Sequence, residues 1–350
     1  MVATLLKKFL SEKNKTFLKN RFKLLYKLHL KRLYFGKYPK SLIIEPTNRC
    51  NLKCSYCTRS KGLRTVGDDL PLEKFKSIVR ELQKLSKLES VTPTGFGEPL
   101  LWRELEDAIK FVKTDYPHTK VDITTNGTLL TEEKAISLLN AGLDNITISI
   151  NAANRERYIE LNRADKFEVV KNNTEFFLNL LRKTPRYKIA VVVQLLGATH
   201  TEEEVNNFKK FWISLLPKNG RLQIHRLFNW GGSIESDRQT IEDKLHSCHI
   251  KERRPCPLIQ GGCVIAQNGN MVACCTALGY DNPGALILGN VFLQSIKEIL
   301  NGQARNQLKL INQRGEIHKI SLCANCDAWK SAPDIWFKNP FFPWLGKRWI

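Results

Sequence analysis

From residue 42 the chain alternates short β-rich runs with helix-length segments of mixed charge, and this alternation limits the fold more than any other feature of its 350 residues. The β-rich runs are Leu42 to Glu45, Ser90 to Thr94, Lys120 to Thr125, Asn145 to Ile150, Lys188 to Leu195 and Arg221 to His225. Between them lie Leu72 to Leu85, Glu104 to Tyr116, Glu132 to Ala141, Phe167 to Arg182 and Glu202 to Leu215. Strands separated by helices pair as a parallel sheet through right-handed crossovers. Six such units predict an α/β fold over residues 39–245, a partial (β/α)6 barrel of TIM type.

In a barrel of this kind, reactive side chains sit on the loops beyond the C-terminal ends of the strands. The loop after the first run holds Cys50, Cys54 and Cys57, with gaps of three and two residues. Three thiolates can hold three corners of a 4Fe-4S cube, which normally takes four ligands. One iron stays open, and an open position separates a catalytic metal site from a structural one. A structural zinc with a fourth cysteine from elsewhere is the alternative, although zinc sites usually pair cysteines in two knuckles. Gly95-Phe96-Gly97-Glu98-Pro99 follows the second run, Thr125-Asn126-Gly127-Thr128 the third and Ser149-Ile150-Asn151 the fourth, so four motifs converge on one rim. Gln194 is polar in an otherwise apolar fifth run.

Composition narrows the setting. There is no run of eighteen uncharged apolar residues, and the N-terminus lacks the apolar stretch and small-residue cleavage site of a secretory signal. A cytoplasmic protein is expected, in which ten cysteines serve metals rather than disulfides. The net charge of +21 is concentrated at the start: residues 1–40 carry twelve Lys or Arg against Glu12 alone. Lys15, Lys19, Lys23, Lys27 and Lys31 recur every fourth residue with Leu18, Phe22, Leu25 and Leu28 among them, which predicts a basic amphipathic helix over 1–38. The tail, 331–350, mixes Trp336, Phe337, Phe341, Phe342, Trp344 and Trp349 with Lys338, Lys347 and Arg348. Both ends suit an anionic membrane surface, with the chain peripheral at the inner face; packing on the barrel is the plainer alternative. Nucleic acid is not an expected partner.

Beyond residue 245 the alternation stops and the cysteines return, as Cys248, Cys256, Cys263, Cys274, Cys275, Cys323 and Cys326. Residues 246–330 are therefore expected to form a small second domain. The segment Ile265 to Cys274 reads as a β-hairpin turning at Asn268-Gly269, which would carry Cys274 toward Cys256. A zinc ribbon would fit the same spacing.

The triplet and the Gly97-Glu98-Pro99 turn resemble the radical S-adenosylmethionine (SAM) superfamily, over about residues 42 to 330. The resemblance implies that the open iron is chelated by the methionine part of SAM, and that the reduced cluster cleaves SAM to a 5′-deoxyadenosyl radical. It also implies an external electron donor such as flavodoxin or ferredoxin. Tyr56 matches the family's aromatic near the adenine, and Gly97, Glu98 and Pro99 the motif that receives the methionyl amine. Asn126, Ser149 and, less closely, Asn151 match positions that bond the ribose or carboxylate, and Gln194 would face the substrate or adenosyl group. Asn126-Gly127 is also a common turn pair, and a strand Gln also serves to satisfy a barrel hydrogen bond.

Cys256, Cys274, Cys323 and Cys326 are similar to the ligand set of SPASM and twitch domains. A second, fully protein-ligated 4Fe-4S cluster follows from that likeness, and the lack of cysteines beyond Cys326 favours the single-cluster twitch form. Cys248, Cys263 and Cys275 are left as buried thiols or as a hydrogen-atom donor. The implied reaction is oxidation or epimerisation of a sugar-like, cyclitol or lipid-linked substrate. Peptide modification and a non-catalytic electron carrier or redox sensor are the alternatives.

Overall fold

The computed structural model describes residues 38–225, 227–234, 255–256 and 258–330. The predicted N-terminal helix, the aromatic tail, Cys248 and the domain boundary near 245 lie outside the described residues.

Six parallel strands run in chain order: β1 Ser41–Ile44, β2 Ser90–Thr92, β3 Lys120–Thr125, β4 Asn145–Ser149, β5 Ala190–Leu196 and β6 Gly220–His225. The linking helices are α1 Leu72–Leu85, α2 Leu105–Asp115, α3 Glu132–Ala141, α4 Arg155–Asn162, α5 Phe167–Lys183 and α6 Glu202–Leu215. Some helices start at a side-chain cap. Thr131 caps α3 through Lys134 N, and Thr201 with Glu204 forms a capping box on α6. In α1 the apolar positions Phe75, Ile78, Val79 and Leu82 recur at helical spacing and are buried. Strand β5 is apolar along both faces except at Gln194, as a strand covered on both sides should be.

The sheet does not close. Its order is β6-β5-β4-β3-β2-β1-β7-β8-β9, so the barrel is partial, as expected. The second domain is less separate than the sequence suggested. Strand β7, Cys263–Ile265, pairs parallel with β1, then turns into β8, Asn270–Val272, and β9, Ile287–Asn290. An open barrel leaves the β1 edge with unpaired backbone groups, and β7 satisfies them. The predicted hairpin is present, with Gly269 at φ +83° supplying its left-handed turn. After it come α7, Ile296–Asn301, and α8, Gln303–Gln313. A second small core, including Val264, Leu278, Leu308, Ile317, Cys274 and Cys323, lies beneath the later cysteines.

Candidate active site

The cysteine loop leaves the C-terminal end of β1. Its three thiols are half-buried. Burial pushes Cys54 up to about 12, with the charges of Cys57 and Cys50 adding to the shift; Cys50 and Cys57 are raised for the same first reason. Thiols this desolvated hold their protons unless a cation sits among them, and a bound iron centre would supply that cation.

The turn after β2 lies directly on this loop. Glu98 N donates to Arg49 O at 2.8 Å, and a side chain at Gly97 would collide with the carbonyl oxygens of Thr47 and Arg49. Only glycine lets the two backbones meet there. Pro99 opens a short 3-10 turn, and Glu98 accepts from Leu100 N.

Glu98 is buried, and three donors already face its carboxylate: Leu100 N at 3.1 Å, Thr125 Oγ1 at 2.6 Å and Asn126 N at 2.8 Å. A carboxylate has about four acceptor sites, so this one has little capacity left for a methionyl amine. Its first task is to join the ends of β2 and β3. Burial outweighs those three bonds and pushes Glu98 up to about 7. Its native-state value thus lies above the unfolded one, so between about pH 4.5 and 7 the native chain holds a proton that the unfolded chain has lost. The contribution of Glu98 to stability is therefore largest at low pH and falls as pH rises through that window, by on the order of 3 kcal/mol in all. Thermal unfolding of the metal-free chain from pH 4.5 to 8 should show this slope, and Glu98→Gln should flatten it.

Asn126 spans the two loops. Its Nδ2 donates to Asn51 Oδ1 at 2.9 Å and lies 3.9 Å from Cys50 Sγ, while its Oδ1 accepts from Thr128. Such bonds orient a metal ligand from outside. Ser149 and Gln194 are partners in the β4–β5 register, and Gln194 is half-buried. Asn151 adopts φ +57°, and its Nδ2 donates to Tyr56 OH at 3.1 Å. All the predicted rim residues therefore lie along the C-terminal ends of β1 to β5.

Helix α4, which sequence patterning missed, brings two more residues. Asn162 Oδ1 accepts from Tyr56 OH at 2.7 Å and from Cys54 Sγ at 3.2 Å, and Tyr158 faces the charges of Cys54, Cys50 and Glu98. Asn151 Oδ1, Asn162 Nδ2, Tyr158 OH and Thr58 Oγ1 are all buried with no hydrogen-bond partner among the described residues. Four orphaned polar atoms around one cysteine loop are the mark of a site shaped for a polar ligand.

Glu45 and Arg64 were also missed. Arg64 pairs with Glu45 at 2.6 Å, both buried, and it also donates to Leu278 O and Gln267 Oε1 in the second core. Glu45 Oε1 accepts from Phe96 N at 2.9 Å. One ion pair thus ties β1, the glycine-rich turn and the C-terminal hairpin together.

The later cysteines feel one another's charge. Cys274 is within electrostatic reach of Cys275, Cys256 and Cys323, and Cys275 of Cys256 and Cys326. Cys275 thus feels the charge of two of the four, which spacing alone did not reveal. Cys263 is buried in the barrel-side core, near Arg305 and Glu81, as an ordinary core thiol.

Family profiles agree with this division. The radical SAM superfamily matches residues 44–211, and an iron-sulfur cluster-binding domain, SPASM, matches residues 256–327. A probable GTP 3′,8-cyclase of Methanocella arvoryzae is 36% identical over 220 residues, covering 62% of this chain and 68% of that protein. The chain belongs to the radical SAM superfamily.

As a radical SAM protein with a SPASM domain, it takes SAM, a 4Fe-4S cluster and an auxiliary cluster. GTP 3′,8-cyclase of Mycobacterium ulcerans is 34% identical over 139 residues; the match covers 38% of this chain and only 37% of that enzyme's length. Two solved structures share the fold. Streptococcus suis SuiB bound to the precursor peptide SuiA has a TM-score of 0.62 at 17% identity, over 91% of this chain and 75% of that one. BtrN in complex with AdoMet and 2-DOIA has a TM-score of 0.55 at 18% identity, over 82% and 92%.

Proposed function

We propose that this radical SAM protein removes a hydrogen atom from a carbon of a sugar-like, cyclitol or lipid-linked substrate, and that the outcome is oxidation or epimerisation. Cys50, Cys54 and Cys57 would hold the SAM-binding cluster, and Cys256, Cys274, Cys323 and Cys326 the auxiliary one. When bound, SAM and its cluster supply a 5′-deoxyadenosyl radical, and the auxiliary cluster supplies a one-electron acceptor or donor.

The observation that carries this reading is the second set of cysteines, in which Cys274 lies within electrostatic reach of Cys256 and Cys323. Enough thiolates are present there to saturate a cube, which suits electron transfer rather than substrate chelation. Loss of a hydrogen atom from a carbon bearing a hydroxyl leaves a radical that must shed one proton and one electron to become a carbonyl. A nearby electron acceptor completes that oxidation. Around the first site, Asn151, Asn162 and Tyr158 bring orphaned polar groups for SAM, and Asn126 and Asn51 fix the Cys50 side of the loop.

The 36% identity to the Methanocella protein favours a second reading, a radical rearrangement of GTP. Anaerobic reconstitution, reduction with dithionite and assay of 5′-deoxyadenosine with GTP or with a panel of cyclitols and nucleotide sugars separates the two. Substrate-dependent 5′-deoxyadenosine with a polyol supports the proposal. Stimulation by GTP alone, with a cyclised product, replaces it. Intact clusters with no 5′-deoxyadenosine under any condition would leave a non-catalytic electron carrier.

A further inference from the structure

The loop after β6 turns on three consecutive residues in the left-handed region. Trp230, Gly231 and Gly232 have consecutive φ values of +45°, +77° and +90°. A bulky residue with positive φ persists only where its surroundings over-determine it. Here they do so from three sides.

On one side, the Trp230 ring meets Phe96 edge to face, with centroids 5.1 Å apart, and Phe96 adjoins Gly97 and Glu98. On a second, the loop is clasped to the segment that bears Cys323 and Cys326. Asn229 Nδ2 donates to Asn325 O at 2.6 Å, Asp327 N donates to Asn229 Oδ1 at 3.1 Å, and Asn229 N donates to Asp327 Oδ1 at 3.2 Å. A side chain at Gly231 would strike Leu322, and one at Gly232 would come within 2.8 Å of Asn325 Cβ. From a third direction, Tyr280 OH donates to Trp230 O at 2.5 Å.

The hairpin arm of the auxiliary set has its own anchors. Arg64 reaches Leu278 O and Gln267, and Gly279 lies against Thr58 and Phe96. The Cys323–Cys326 arm is keyed to the same Phe96 turn by the β6 loop instead.

We propose that Trp230 is a positioning residue, which holds the Cys323–Cys326 arm of the auxiliary centre in register with the glycine-rich turn of the SAM site. The proposal rests on the assignment of Cys323 and Cys326 as auxiliary ligands. Strain at Trp230 is sustained because indole, glycines and Asn229 together close a joint that no single contact would hold. Two centres that act on one substrate need a fixed separation, and this joint fixes it for the arm nearest the chain's last cysteines.

Hydrogen exchange on the full metal-free chain, followed by pulsed dipolar spectroscopy of the reduced two-cluster protein, tests it. Trp230→Ala should raise exchange about tenfold at the amides of 322–327 and in the 94–101 turn, and leave the 263–273 hairpin unchanged. Asn229→Ala should raise it at 322–327 only. Trp230→Phe keeps a ring for Phe96 and should stay near wild type, which a simple loss of fold would not allow. In the loaded protein, Trp230→Ala with full iron content should broaden the distribution of distances between the clusters. Wild-type exchange at 322–327 in Trp230→Ala, or an unchanged distance distribution, overturns the proposal. Absence of 5′-deoxyadenosine would sink the enzymatic reading above and leave the exchange result standing.

Discussion

Cys54→Ala is expected to abolish 5′-deoxyadenosine formation by the reconstituted, reduced protein, by more than about 10³-fold. Loss of an outer-shell partner alone typically costs ~10–100-fold at a metal site, and Cys54 is a direct ligand in the proposed triplet. It is the middle of the three, it feels the charge of both neighbours, and its Sγ donates to Asn162 Oδ1 at 3.2 Å. With two thiolates left, the cube loses a corner that the loop cannot replace. Asn162→Ala should be milder, within the outer-shell range, because Tyr56 OH loses an acceptor but the ligands remain. Iron analysis and quantitation of 5′-deoxyadenosine under dithionite give both numbers. Cleavage by Cys54→Ala within tenfold of wild type would remove the triplet from its assigned place.

The site was legible where chemistry is local in sequence. Three cysteines on one loop, a glycine-rich turn and an Asn-Gly hairpin each announce themselves within a dozen residues, and helices α1, α3 and α6 begin and end at the predicted residues. Helix α4 was missed because it is short, strongly charged and buries only Tyr158, Leu161 and Asn162, too few positions to show a period. The Glu45–Arg64 pair was invisible for a different reason. Its partners belong to separate loops, and Arg64 also serves Gln267 and Leu278, some two hundred residues later. Glu98 stands out in sequence as the acid of the turn, but only the fold shows that Thr125 and Asn126 have already claimed its oxygens. Adjacent Cys274 and Cys275 pose the same problem in miniature. Spacing cannot say which of two neighbours faces a cluster, because that depends on the 3-10 turn that starts at Cys275.

Cys326→Ala tests the division of labour between the two centres. It should lower iron by the equivalent of the auxiliary cluster while leaving substrate-independent 5′-deoxyadenosine formation within about threefold of wild type, because Cys50, Cys54 and Cys57 stand on a different loop. Substrate oxidation should fall by at least ~10²-fold, more than an outer-shell change would cost, since the electron left on the substrate radical has lost its acceptor. The presence of Cys275 makes the experiment sharper. Cys275 feels the charge of both Cys256 and Cys326, which makes it a candidate to take over as fourth ligand. The double variant with Cys275→Ala should match Cys326→Ala in iron content; a second cluster kept by Cys326→Ala and lost only in the double variant would make Cys275 a substitute ligand. In either case the auxiliary iron and the coupled reaction should disappear together. A variant that lost its auxiliary iron yet still oxidised substrate, or one that lost SAM cleavage as completely as Cys54→Ala, would show that the two thiol sets do not divide the chemistry between them.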